Sequence, residues 1–301
     1  MIEILRTEGR AVGRTFANAI GLSEATVSRR LAAIAAAGLV QVRGYIDPFV
    51  AGCHTVSLIR FATKDSPAVF ATALAKGRDF YRVAAISSQS EVVALAATAD
   101  SAQCLESIDA MLAEHPGVSI LSASPVLAII PPIEARPHRH AAAHAKHEPQ
   151  TIRQRQIQER LIRALQIDFR ATFLALGKSA SVSAPAVSLM VPQMIAGGIL
   201  QHVVVVDPHF VQRPLCAHFR ITVAKDIEKT ARLIGTTLNP EWVFVCLAHE
   251  QICVEASLAN ETEMSRLQQT INALPAVLKV TCHPLSVVYK NSFAWNNGDA
   301  A

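Results

Sequence analysis

The chain has 301 residues, 51% hydrophobic and 17% charged, a composition that builds packed cores and excludes an intrinsically disordered protein. No apolar run reaches the roughly 18–20 residues of a membrane-spanning helix, and Met1-Ile2-Glu3-Ile4-Leu5-Arg6 lacks the basic and apolar segments of a secretory signal. A cytoplasmic protein with no membrane partner is expected, and a net charge of +4 permits nucleic-acid binding without demanding it.

In chain order, Ala17, Ile20 and Leu22 outline a short amphipathic helix closed by Gly21, a residue suited to the left-handed position after a helix. Ser23 stands at an N-cap, and Val27, Leu31 and Ile34 recur at i, i+4, i+7, predicting a second helix that ends at Gly38. Leu39–Val42 and Tyr45-Ile46 predict a short strand or wing. Residues 1–47 therefore form an expected winged helix-turn-helix whose second helix would read DNA. Its outward positions are Ala25, Thr26, Ser28, Arg29 and Arg30; small and hydroxyl residues let the helix approach a groove, and guanidiniums grip phosphate or guanine. With Ser23, Arg14 and Arg43 they make the candidate DNA-binding set.

Strand, helix, strand, strand, helix, strand follows: Cys53–Phe61, Ala68–Lys76, Phe80–Ser87, Glu91–Ala97, Ser101–Glu114 and Val118–Ala128. This is the ferredoxin-like βαββαβ order over 48–130. One sheet face would carry the two helices, and the other, left apolar, would need covering by a second sheet. Residues 131–150, rich in Pro, His and Ala, predict a linker. Its His138, His140, His144 and His147 raise a metal site, weighed against a solvated connector, which is the expectation.

The pattern then recurs at an offset of 160: Leu5 with Leu165, Arg10 with Arg170, Ser23 with Ser183, Val27-Ser28 with Val187-Ser188, Gly38 with Gly198, and Asp47-Pro48 with Asp207-Pro208. Residues 151–207 form a second helix-turn-helix that is degenerate. Leu189 and Met190 replace Arg29 and Arg30, Pro192 stands in the helix interior, and no charged residue occurs between Ser183 and Gly197. Without cations this helix gains nothing from counterion release and is not expected to bind DNA. Residues 208–290 repeat βαββαβ through Ala217–Val223, Ile227–Thr236, Trp242–Ala248, Ile252–Leu258, Glu261–Ala273 and Val277–Tyr289, and 291–301 is a tail. The predicted fold is α+β, a tandem repeat of winged helix-turn-helix and ferredoxin-like domain.

Six cysteines without a CxxC pair predict free thiols in a reducing compartment. His54 and His218, at matching strand starts, are read as structural histidines. No HExxH, P-loop, GxSxG or zinc-spaced cysteine set is present, so no catalytic residue, metal or cofactor is expected.

Gly9-Arg10, Leu22-Ser23, Val27-Ser28-Arg29-Arg30-Leu31, Gly38-Leu39-Val40 and Gly52 together resemble the Lrp/AsnC family of transcription regulators, in domain order as well as motif and twice over nearly the whole chain. The resemblance implies a regulator rather than an enzyme, with double-stranded DNA as partner and control by an amino acid or similar small-molecule effector. It also implies association through the RAM-type sensing domains into a homodimer or higher homo-oligomer. One chain would pair its own two sensing sheets and supply one DNA reader, so a two-fold operator needs at least two chains. Two departures stand out. The family's first helix starts earlier, so this start is expected to be trimmed. The family's Gly-x-Tyr-Asp-like turn is replaced by Ser88-Gln89-Ser90-Glu91 and Glu250-Gln251-Ile252-Cys253. Ser88, Ser90, Glu91 and His249 are the polar groups left for an effector, weighed against an ordinary hairpin turn.

The same paired architecture also resembles that of siroheme decarboxylases, the alternative reading. Such an enzyme needs cations for its substrate's carboxylates and a proton donor. Arg60, Arg82, Arg213, Arg220, His218 and His283 are candidates, but they form no motif, and the retained Arg29 and Arg30 favour the regulator.

Overall fold

The structure, a computed structural model, describes residues 1–64, 66–130, 151–238 and 240–294. The predicted linker with its four histidines and all but the start of the tail lie outside the described residues. The first half of the chain runs α1 (Ile2–Thr7), α2 (Gly13–Ile20), α3 (Glu24–Ala36), β1 (Val40–Tyr45), β2 (Thr55–Thr63), α4 (Pro67–Lys76), β3 (Phe80–Ile86), β4 (Glu91–Thr98), α5 (Ser101–Glu114) and β5 (Val118–Ile130). The second half runs α6 (Ile152–Ile167), α7 (Phe173–Ala180), α8 (Ala184–Ala196), β6 (Gln201–Val206), β7 (Leu215–Val223), α9 (Ile227–Leu238), β8 (Trp242–Cys246), β9 (Ile252–Leu258), α10 (Glu261–Asn272), β10 (Val277–Leu285) and β11 (Val287–Asn291). Among the described residues no single helix is long and apolar enough to cross a membrane. The elements form two compact units.

The first unit gathers both helical segments, residues 1–46 and 151–211. Ser23 caps α3 by accepting the Thr26 N–H at 3.3 Å, and Ser183 caps α8 from Ala186 at 3.4 Å. Gly21 closes α2 with φ +68°, the left-handed region where a side chain is disfavoured. β1 and β6 pair antiparallel, Val42 opposite Val204, into a two-stranded sheet. Gly44 lets that sheet approach the end of α6: a Cβ there would stand 3.0 Å from the Leu165 backbone. Phe16, Val27, Leu161, Leu165, Val187 and Leu200 share one core drawn from both segments.

Two arginines tie the segments together reciprocally. Arg10 donates to the carbonyls of Phe169 and of Ala171, the latter at 2.7 Å, and Arg170 donates to those of Gly9 at 3.0 Å and Ala11 at 2.9 Å. Each guanidinium thus satisfies carbonyls in the connection between the first two helices of the other segment. Arg10 also stacks over Phe173, 4.7 Å from the ring centroid. α8 runs as one helix through Pro192, burying Val187, Val191 and Met194 while Leu189 is exposed.

The second unit is one nine-stranded sheet in the order β10-β7-β9-β8-β5-β2-β4-β3-β11. Alternation decides its faces. Ile59, Phe61, Val92 and Ala94 pack under α4 and α5 with Phe70, Leu74 and Ile108, and Phe219, Ile221, Val254 and Val245 form the matching core with Ile234 and Ile271 of α9 and α10. Two strands cross between the halves. β5 pairs first with β2 and then, from Val126, with β8; after β10 has paired with β7, β11 pairs with β3. Ser286 marks that crossing, its N–H donating to the Ala85 carbonyl at 2.8 Å. The halves therefore fold face to face. The covered face differs from the purely apolar one expected, because ionised side chains stand on it.

Candidate functional site: a charged cluster between the sheet halves

The cluster is built from alternate residues on the covered faces of six strands. His218 and Arg220 are two apart on β7 and so share a face, and Glu255 is the direct cross-strand partner of His218 on β9. His283 stands opposite His218 on β10. Arg60 on β2, Arg82 on β3 and Glu91 at the start of β4 come from the other half.

Arg82 crosses between the halves and holds Glu255 Oε2 through Nε and Nη2, both at 2.6 Å. These strands are not neighbours in the sheet, so the contact exists only because the halves close on each other. His218 Nδ1–H donates to Glu255 Oε1 at 3.2 Å. All three side chains are fully buried, with His218 at 0% exposure and Glu255 at 1%. Nearer solvent, Glu91 bridges two guanidiniums. Arg220 Nη2 donates to Oε2 at 2.8 Å, and Arg60 Nη2 donates to Oε1 at 3.0 Å. Arg60 and His283 are partly exposed.

The ionisation states follow from these contacts. Burial alone would push the Glu255 carboxyl up, but Arg82 and His218 hold it down at about 2. Burial would lower His218, yet neighbouring Cys253 and Glu255 raise it to about 9, so it is an imidazolium at neutral pH. Burial and the nearby cations Arg220 and His218 push His283 down to about 4, so it is neutral. Burial opposes ionisation of Glu91, and Arg60 and Arg220 outweigh it, leaving the pKa below the ordinary value. Cys253 is pushed well up by its contact with Cys246 and by burial, so it is a thiol.

The balance is positive: three guanidiniums and an imidazolium face two carboxylates. Two buried donors, His218 Nε2 and Arg220 Nε, have no hydrogen-bond partner among the described residues. A surplus of cations with idle donors suits an anion, and planar guanidiniums suit a carboxylate.

The fold matches that of siroheme decarboxylase NirDL. Its structure in complex with an iron-uroporphyrin III analogue superposes on 93% of this chain and 87% of that one, with a TM-score of 0.59 at 14% identity. A second NirDL structure gives 0.59 at 13% identity over 93% and 86%. Mycobacterium tuberculosis LrpA, a leucine response regulatory protein, matches 44% of this chain and 91% of its own, at 21% identity and a TM-score of 0.40. Comparison with family models and with curated proteins finds no match.

The expectation of a non-enzyme is corrected by these findings, since two solved structures that match nearly the whole chain are those of siroheme decarboxylase NirDL. A search for motifs along the chain could not find such a site. His218 and Arg220 are two apart on β7 and His283 joins them by strand pairing, but Arg60 and Arg82 come from the other half and meet them only through sheet closure. Arg213, the sixth cation considered, lies elsewhere, paired with Glu263 at 2.7 Å.

The other predicted residues fall as follows. Ser23, Ala25, Ser28, Arg29 and Arg30 are exposed on or beside α3, Thr26 is half-buried and hydrogen-bonded to Ser23, and Arg14 is exposed on α2. Arg43 on β1 donates to Gln41 Oε1 at 2.6 Å. Ser88 and Ser90 are exposed in the β3–β4 turn, whereas His249 is exposed in the β8–β9 connection of the other half. Of that set only Glu91 belongs to the cluster. Glu255 was missed, although a carboxylate inside Ile252-Cys253-Val254-Glu255-Ala256 is a signal, since carboxylates are rarely buried unpaired.

Proposed function

We propose that the chain is a decarboxylase acting on a carboxylate-bearing tetrapyrrole, of the siroheme decarboxylase kind. The observation that supports it is the buried cluster of surplus cations with two idle donors. Arg60 and Arg220, at the partly exposed side, hold substrate carboxylates by paired N–H donation. The reaction breaks the bond between a side-chain carbon and its carboxylate. CO2 leaves, the electron pair stays on the carbon, and one proton replaces the departed group; no electrons are exchanged with another reactant. His283, partly exposed and facing His218, serves that proton transfer in this reading. Neutral in the unliganded protein, it gains a proton when a carboxylate is bound beside it, because an added negative charge favours imidazolium. His218, held by Glu255, keeps a positive charge behind the site at neutral pH.

The test is to incubate the protein with siroheme and follow Soret absorption and product mass. The expected result is a Soret shift with successive losses of CO2, and Arg220→Met should slow turnover by about 100-fold, in the range for removing one charge-assisted donor. No Soret change and no mass loss would sink the reading.

A second reading concerns the first unit and is favoured by the exposure of Arg29 and Arg30 beside Ser28 on α3. In it α3 contacts double-stranded DNA and α8, with exposed Leu189, does not. Replacing Arg29 and Arg30 by Ala should weaken duplex binding and reduce the salt slope by about one for each phosphate left without its arginine. Unchanged affinity refutes it.

A further inference from the structure

We propose that the outer face of α6 is a docking surface for an anionic lipid bilayer, its arginines meeting headgroup phosphates and its isoleucines the acyl boundary. The proposal stands apart from the activity proposed above.

A capping box fixes the start of α6, with the Gln154 N–H donating to Thr151 Oγ1 at 3.3 Å and the Thr151 N–H to Gln154 Oε1 at 3.0 Å. The residues from Ile152 to Gln156 are all exposed, and the helix meets the core only from its middle, through Leu161 and Leu165. At about 3.6 residues per turn, Ile152, Arg153, Gln156, Arg160, Arg163 and Ile167 fall within one arc of about 100°, opposite Leu161 and Leu165. Ile152 is 78% exposed and Ile167 70%. They stand about 22 Å apart along the helix axis, with the arginines between them.

The charge is one-sided. The helix sets Arg153, Arg155, Arg160 and Arg163 against Glu159 alone. Among the described residues none of these arginines has a side-chain hydrogen bond or ion pair. Arg153 and Arg155 stand at the positive end of the helix dipole, where a cation costs stability and a carboxylate adds it. Helix α1, at the related place in the first segment, is neutral, its Arg6 bound to Glu3 at 2.7 Å. Cations kept where folding disfavours them call for an anion outside the chain. The exposed isoleucines among them select its kind. A nucleic-acid backbone offers phosphates without an apolar layer, whereas a bilayer surface offers both. Like charge excludes a second α6 as the occupant. Such a contact needs no spanning helix.

The experiment floats the full chain with vesicles of phosphatidylcholine alone, and with about one third phosphatidylglycerol mixed in. Binding to the anionic vesicles alone is expected. Near such a surface each arginine is worth about fivefold, so Arg153→Gln, Arg160→Gln and Arg163→Gln together should weaken binding by about 100-fold. Ile152→Gln with Ile167→Gln should weaken it by about tenfold or more. None of these five side chains belongs to the core, so both variants should melt with the wild type, which separates lost docking from a lost fold. No flotation, or flotation that persists in the arginine variant, overturns the proposal. Flotation indifferent to the isoleucines and competed away by duplex DNA overturns it in favour of a polyanion contact.

Discussion

Replacing Arg82 by Met removes the cation that crosses between the sheet halves and keeps most of the side-chain volume. Glu255 sits at about 2 against an ordinary 4.5. Each pKa unit of that gap corresponds to 1.36 kcal/mol, so burial, the largest influence, is outweighed by about 3 kcal/mol of net favourable charge contact, with Arg82 the largest of those contacts. Breaking a fully buried pair by removing one partner costs about 3–5 kcal/mol, because the remaining charge has no water to return to. Arg82→Met is therefore expected to destabilise the protein by about 3 kcal/mol, measured by urea unfolding at neutral pH and followed through tryptophan emission, to which buried Trp242 contributes. The double variant Arg82→Met, Glu255→Leu should lose less than the sum of the two single variants, since it removes both charges together. A single-variant loss below about 1 kcal/mol, the scale of an exposed pair, would refute the claim that the cluster is sealed from solvent.

Other consequences follow from the same interactions. His218 is raised from an ordinary 6.5 to about 9, so its contribution is complete below pH 6.5 and is lost as pH rises through 9. Wild-type stability should fall on that alkaline limb, and His218→Leu should flatten it; an identical limb in both proteins counts against the imidazolium. Glu255 gives the opposite limb, its contribution complete above pH 4.5 and lost as pH falls through about 2. In the first unit, Arg10→Ala or Arg170→Ala leaves two carbonyls unserved and should each cost about 2–3 kcal/mol. Thermal melts showing no shift for either would mean that the reciprocal clasp adds nothing to stability.

The sequence by itself determined most of the elements and their order, but not α1, nor the break at Ser286 that splits the single strand expected over Val277–Tyr289 into β10 and β11. Val27, Leu31 and Ile34 at helical spacing, Ser23 and Ser183 before their helices, and two strand-helix-strand-strand-helix-strand runs are local signals, and the structure has helices and strands there. α5 coincides with the helix expected over Ser101–Glu114, and in the structure Asp100 caps its start by accepting the Gln103 N–H. The pairing of Arg10 with Arg170 is visible as a repeated position, but not as a mutual clasp, since a carbonyl's need for a donor leaves no trace in side-chain identity. Strand periodicity says which residues share a face without saying what faces them. Arg82 and Glu255 are 173 positions apart, and no pattern along the chain links them. Only the closure of the nine-stranded sheet, with β5 and β11 crossing between halves, brought them within hydrogen-bonding reach. A buried charge is tolerated only where a partner meets it, and here Arg82 meets Glu255 from the opposite half.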